Sequence, residues 1–189
     1  MSDFYPLSEP LWFALYVRVR HERAVEKQLA EKGLEAFLPC QVSRHKWADR
    51  FKNVEMPLFP GYLFCRFTSQ QRGLVQSAFG VVRIVGFGKQ LMPVDDGEVL
   101  ALQQAVRAGL AFEATPYLTV GQRVRVVFGP LSGVEGILLE AKKGHRIVLS
   151  VSLLQRSVSV EVNESEVEAV ESARLQPSHS GGILLRRPA

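Results

Sequence analysis

Cysteine is scarce in this chain. Only Cys40 and Cys65 occur in 189 residues, with no CxxC pair and no Cys/His cluster. That usage excludes a disulfide-stapled scaffold and points to a reducing cytosol with no metal site. Long apolar runs are lacking too: none approaches the roughly 18 residues of a membrane span. The opening "MSDFYPLSEP" has neither a basic n-region nor an apolar h-region, so no secretory signal is expected. Catalytic patterns are absent. His21, His45, His145 and His179 lie in basic or turn contexts without an Asp/Ser or Cys partner pattern, and read as surface residues. "GFGKQ" at 86–90 does not open a helix and lacks the second half of a phosphate loop, so it reads as a turn. We expect no enzyme and no cofactor.

What is present is an ordinary globular composition, 47% hydrophobic and 22% charged, with a net charge of +4 that is unevenly spread. Residues 1–108 carry 14 Lys+Arg against 11 Asp+Glu, whereas residues 119–170 carry 6 of each. Two basic patches stand out, Arg18, Arg20, His21, Arg23 and then Arg44, His45, Lys46, Arg50, Lys52. Together they favour an anionic neighbour such as nucleic acid over plain solvated surface.

The first half alternates strand and helix patterns. "LWFALYVRVR" is a strand with Phe13, Leu15, Val17 and Val19 on one face and Trp12, Ala14, Tyr16 and Arg18 on the other. "HERAVEKQLAEKG" is a helix with Ala24, Val25 and Leu29 as its stripe and Gly33 as its stop. "EAFLPC" is a short strand, and "QVSRHKWADRFKNVEMP" a basic hairpin turning near Ala48–Asp49. "MPLFPGYLFCRF" is a strand behind a tight turn, and it is apolar on both sides. A short helix at 69–78, strand "VVRIVGF" and a helix starting at Asp95 follow. Asp95 and Glu98 have capping-box spacing, and Val99, Leu102, Val106 and Leu110 form that helix's stripe.

This order suits an antiparallel α+β sandwich with helices on one face only. The helices then cover Phe13, Leu15, Val17, Leu63, Cys65 and Phe67. Trp12, Tyr16, Phe59, Tyr62 and Phe64 are left on the other face, rimmed by Arg18 and Arg66. An uncovered aromatic face is a partner site; the alternative is that the hairpin or the C-terminal segment folds over it.

After "GLAFEATPYL", residues 109–118, which has no periodicity and reads as a linker, the pattern becomes all strand and turn. Val124 and Val126 face in, Arg123 and Arg125 out. Gly129-Pro130 and Gly133 mark a turn, Gly136 allows a close backbone approach, and "KKGH" turns a hairpin. About five short strands suggest a small SH3-like barrel. Residues 171–189 read as a disordered tail.

"VGQRVRVVFGPLSGVEGIL" resembles the KOW motif. "WFALYVRVRHERAVEKQLAEKG", "PLFPGYLFCRF" and "GVVRIVGFG" resemble the NGN domain of the NusG family of transcription factors. The resemblance divides the chain into a 1–10 extension, an NGN domain at 11–108, a linker at 109–118, a KOW domain at 119–170 and the tail. "PLFP.YLF", "LYVRVRHE", "AFLP" and "PYLTVGQRVRVV" are similar to specialised paralogues of the RfaH and UpxY type.

The resemblance implies a cytoplasmic, monomeric factor that binds elongating RNA polymerase and modulates pausing, termination or antitermination. Its open NGN face, here Trp12, Tyr16, Phe59, Pro60, Tyr62 and Phe64, would dock on the clamp helices of the largest subunit. Arg18, Arg20, His21, Arg23 and Lys46 would face the non-template DNA strand. Rho or a small-subunit ribosomal protein would meet the KOW domain around Leu131, Leu154 and Arg156. Leu131 and Leu154 stand where the family often has aromatics, and Phe79 falls near the position of the RfaH DNA-reading arginine. The β-branched "RIVLSVSL" and "RSVSVEV" weigh against refolding of the KOW half into helices. The other reading is an RNA-binding KOW protein of ribosome assembly, which would be more basic and would have no aromatic face.

Overall fold

The computed structural model describes residues 9–46, 51–87, 90–115, 121–141 and 144–170. The hairpin tip at Ala48–Asp49, the first residues of the "KKGH" turn, most of the N-terminal extension and the 171–189 tail lie outside the described residues.

The first unit is built on a four-stranded antiparallel sheet. Its strands are β1 (Leu11–Val17), β2 (Glu35–Phe37), β5 (Tyr62–Phe67) and β6 (Val81–Ile84), in the order β2-β5-β1-β6. Strands β3 (Cys40–Lys46) and β4 (Phe51–Pro57) form a separate basic hairpin. Alternation sets the faces. Phe13, Leu15, Val17, Leu63, Cys65 and Phe67 pack against Val25 and Leu29 of α1 (Glu22–Glu31) and Val75 of α2 (Arg72–Gln76). Ala24, expected in the α1 stripe, is exposed, and Glu22 is buried instead.

The second face is covered as well, which corrects the expectation of helices on one side only. After the short hairpin β7 (Gly86–Phe87) and β8 (Gln90–Leu91), the chain crosses the sheet, and the Val94 amide donates to the Trp12 carbonyl at 2.8 Å. Helix α3 (Asp96–Arg107) then lays Val99, Ala101, Leu102 and Ala105 on that face, with Val106 and Leu110 partly buried beside them. Asp95 caps it, accepting from the amides of Gly97 (2.8 Å) and Glu98 (3.2 Å). The reciprocal half of the expected capping box is not made, because the Glu98 side chain bonds elsewhere.

The second unit is an SH3-like, all-antiparallel sheet of β9 (Phe112–Thr115), β10 (Arg123–Val126), β11 (Glu135–Ala141), β12 (Gly144–Val151), β13 (Arg156–Val162) and β14 (Val167–Ala169), ordered β14-β10-β11-β12-β13-β9. Val124, Val126, Ile147, Leu149, Val151, Val158 and Val160 are buried in it. A Cβ on Gly136 would lie 2.6 Å from the Val148 carbonyl oxygen, so the close approach read from the sequence is real.

Strand β9 falls inside the segment read as a linker. Phe112–Thr115 pairs with β13, and its side chains are engaged: the Thr115 hydroxyl donates to the Ser159 hydroxyl (2.9 Å), and Glu113 pairs with Arg146 (3.4 Å). Four residues carry too short a pattern to announce a strand; pairing to β13 makes one.

Candidate functional site

The aromatic face grows from two paired strands. Tyr16 stands opposite Tyr62 and Ala14 opposite Phe64, so one face of β1 and β5 collects rings in neighbouring positions. The Tyr16 and Tyr62 rings lie 5.3 Å apart, Phe37 stacks 6.2 Å from Phe64, and Phe59 meets Phe64 edge-on at 6.4 Å. The Phe59–Tyr62 turn places Phe59 and Pro60. The Tyr62 amide donates back to the Phe59 carbonyl (2.9 Å), Pro60 holds the first corner, and Gly61 takes the second at φ +80. The Gly61 amide donates to Glu22 Oε1 at 2.9 Å, which fastens this turn to the start of α1.

The face is not open. Trp12, Phe59 and Phe64 are buried, Phe64 completely, in one continuous cluster. That cluster runs through Val99, Leu102 and Ala105 of α3 to Phe112, Leu131, Ile147 and Val160 of the barrel. The expected exposed patch is thus corrected to a covered one, and the C-terminal segment is part of what covers it. Pro60 stays exposed; Tyr16 and Tyr62 are half-buried at the margin. A guanidinium lies against each tyrosine: Arg83 is 5.6 Å from the Tyr16 ring centre, and Arg156, from the barrel, is 5.2 Å from that of Tyr62.

Among the described residues, polar contacts between the units are few. The Glu98 carboxylate accepts from the Ser152 amide (3.1 Å) and hydroxyl (2.6 Å). The Phe112 amide donates to Gln41 Oε1 at 3.3 Å. A groove of about 390 Å³ runs between α3 and the barrel, lined by Glu98, Ala101, Gln104, Gly133, Val134 and Leu149 among others. Gln104 Oε1 is buried without a hydrogen-bond partner among the described residues.

The barrel residues read as a partner surface are placed differently. Leu131 is buried in the core, Leu154 packs partly against it, and Arg156 is turned onto Tyr62. The exposed apolar side chain of that loop is Phe128, 68% exposed, which the sequence reading passed over.

The first basic patch is also redistributed. Arg23 pairs with Glu26 (3.2 Å) and with Glu55 of β4, so it serves the hairpin rather than the patch. Arg18, Arg20 and His21 are grouped in the turn after β1, where the His21 amide donates to the Arg18 carbonyl (3.0 Å) and Arg20 sits at φ +70. Lys46 ends β3, opposite Phe51; its side chain lies outside the described residues. Among the described residues no cluster of His, Cys, Asp and Glu could hold a metal ion, and no helix is long and apolar enough to cross a membrane.

Comparison with known proteins bears on this architecture. The family model described as transcription termination factor nusG matches residues 10–103. The transcription termination/antitermination protein NusG of Lactococcus lactis subsp. lactis (strain IL1403) is 27% identical over 174 residues, covering 85% of this chain and 94% of that protein. Among solved structures, one described as domain interaction in Thermotoga maritima NusG superposes with a TM-score of 0.52 at 20% identity, covering 86% of this chain and 98% of the other. That likeness establishes the fold. The family model covers the first unit, and the Lactococcus match extends through both: the chain belongs to the NusG family and is a NusG-like transcription factor.

Proposed function

We propose that this factor binds elongating RNA polymerase in the cytoplasm, as a monomer, through the margin and floor of its aromatic face. Trp12, Tyr16, Phe59, Pro60, Tyr62 and Phe64 would meet the clamp helices of the largest subunit. Bound there, it would shift pausing and termination by stabilising whichever polymerase state it binds better; no covalent step is involved. The turn of Arg18, Arg20 and His21 would then lie beside the non-template strand. Rho or a small-subunit ribosomal protein remains the candidate for the barrel, with Phe128 as the side chain available to it.

One observation carries this reading. A second, largely aromatic face on β1 and β5, edged by Arg66, is far more than a two-layer domain needs, and what covers it includes the second sheet, attached by few polar contacts among the described residues. Docking of the polymerase therefore competes with the barrel. The apparent affinity is the intrinsic one reduced by the fraction of molecules that are open.

The test uses immobilised core polymerase and the full chain. Arg156→Ala removes a closing contact without touching the face and should tighten binding. In that background, Tyr62→Ala should weaken binding by about 1–3 kcal/mol. Equal affinity of the single and double variants would refute the site.

A further inference from the structure

The groove between α3 and the barrel is one-sided in its chemistry. Its lining carries the carboxylates of Asp95, Glu98 and Glu135 and, among the described residues, no lysine, arginine or histidine, in a chain of net charge +4. Glu135 is committed to Arg123 (3.3 Å) and Arg125 of β10. Among the described residues, Asp95 and Glu98 have no cation within ion-pair distance. Gln104 Oε1, buried without a partner among the described residues, adds another acceptor. Acceptors left without donors are costly unless an occupant supplies them. Apolar side chains complete the lining: Val134 and Leu149 are buried, and Leu100 is 51% exposed. A fitting occupant therefore combines apolar side chains with positive charge and N–H donors.

The chain itself carries such a segment. After Val170, "ESARLQPSHSGGILLRRPA" holds three arginines against one glutamate. Its one apolar run, Ile183, Leu184 and Leu185, is followed directly by Arg186 and Arg187. Three consecutive apolar side chains in a stretch otherwise rich in Ser, Gly and Pro are a liability unless they are buried against something. Reach is ample. The Val170 amide donates to the Arg123 carbonyl (2.9 Å) at the start of β10, and Arg125, on the same strand, holds Glu135 of the groove. Residues 171–182 can span about 40 Å. A tether of this kind gives the segment a local concentration on the order of millimolar, so modest contacts are enough.

We infer that this groove is the docking site of residues 183–187 of the same chain, which straps the two units together. Ile183, Leu184 and Leu185 lie against Leu100, Val134 and Leu149, and Arg186 and Arg187 stand beside Asp95 and Glu98. A segment seated there touches α3 and the barrel at once and adds to the bonds between Glu98 and Ser152. The inference rests on the groove and the segment, not on the polymerase-docking reading, and its test uses no polymerase.

The test places a photo-reactive benzophenone amino acid at Leu184 of the full chain and maps its cross-links by mass spectrometry. They should fall on α3 and on the groove residues of the barrel, within one chain when light and isotopically heavy chains are mixed. Arg186→Glu with Arg187→Glu should lower their yield about fivefold or more, because attraction becomes repulsion, and raised salt should lower it in the unaltered chain. Glu98→Gln keeps an acceptor for Ser152 while removing the charge, and should lower the yield as well. Ile183→Ser with Leu185→Ser should lower it through the apolar half. Amide exchange at Ser152, whose N–H is bonded to Glu98, reads the strap: it should quicken in the arginine variant. Cross-links elsewhere on the chain, or between light and heavy chains, would overturn the docking site. So would a yield indifferent to both the arginine and the Glu98 changes. Unchanged exchange at Ser152 in a variant that has lost its cross-links would overturn the strap.

Discussion

Glu98, on the first turn of α3, accepts two hydrogen bonds from Ser152 at the end of β12, one from its amide at 3.1 Å and one from its hydroxyl at 2.6 Å. This pair joins the two units beside the groove that Glu98 helps to line. Burial raises the Glu98 carboxyl above its ordinary value; the two bonds from Ser152 pull it back in part, and the charge of Asp95 adds to the rise. A carboxyl whose pKa is raised by closure takes up a proton more readily closed than open. Closure is therefore favoured at pH below the ordinary glutamate range, and that preference is lost as pH rises through the raised value. Small-angle scattering across mildly acidic to neutral pH should show a larger mean dimension toward neutrality. Glu98→Gln should flatten the trend, and a trend of the opposite sign would remove Glu98 from the linkage.

Much of the fold could be read from alternation. Leu63, Cys65 and Phe67 face the helices, and Tyr62 and Phe64 face away from them, as a period of two requires. Alternation says that a face is apolar; it does not say what buries it. The helix α3 stripe is equally compatible with either side of the sheet, and only the crossing after β8 decides between them. The basic patch was legible as charge but not as chemistry. Whether Glu22 and Glu26 neutralise Arg18 and Arg20 depends on where the Gly61 and Leu38 amides lie, 39 and 12 residues away in sequence. Phe79 gave no signal by periodicity, since a lone aromatic beside a glycine has no period; only the family resemblance drew attention to its position, and the residue there does not match.

Glu22 should matter more for stability than its surface-like sequence context suggests. Glu22→Ala leaves the buried Gly61 amide unpaired and should cost about 1–3 kcal/mol. Glu22→Gln keeps an acceptor and should cost less. Urea denaturation distinguishes them; an alanine variant as stable as the wild type would mean that water replaces the carboxylate at the turn.

Phe64→Ala is unsuitable as a probe of docking, because its ring is wholly buried. It should lose about 3–5 kcal/mol of stability, the range for truncating a core phenylalanine. Tyr62→Ala, at the margin, should lose clearly less. Thermal melts of the two variants check the order, and a stable Phe64→Ala chain would mean that the face is open in solution.

The two thiols should be inert in the folded chain. Burial pushes the Cys40 thiol up to about 11, against the partial opposition of Arg23, and the Cys65 thiol up to about 12. At pH 8 the thiolate fraction of Cys40 is then about one in a thousand and that of Cys65 smaller still. A disulfide-exchange reagent should label neither at an appreciable rate until urea is added, and prompt labelling of one thiol in native buffer would show that its pocket opens readily.

Chymotrypsin tests whether β9 belongs to the barrel in solution. Its peptide groups pair with β13, the Phe112 side chain is buried, and Glu113 and Thr115 are held by Arg146 and Ser159. Cleavage after Phe112 therefore requires β9 to leave the sheet first, and its rate follows the population of that opening. Phe128 sits in a loop with its ring in solvent, and Phe87 is similarly exposed, so they serve as internal references. Mass spectrometry of brief digests should find cuts after Phe87 and Phe128 well before any after Phe112. Ser159→Ala removes the hydroxyl that both Thr115 and Arg146 bond, and should bring the Phe112 cut forward without hastening the other two. If Phe112 is cut as early as Phe128 in the wild-type chain, β9 is a detached tether and the first and second units are joined by nothing more than a strand of linker.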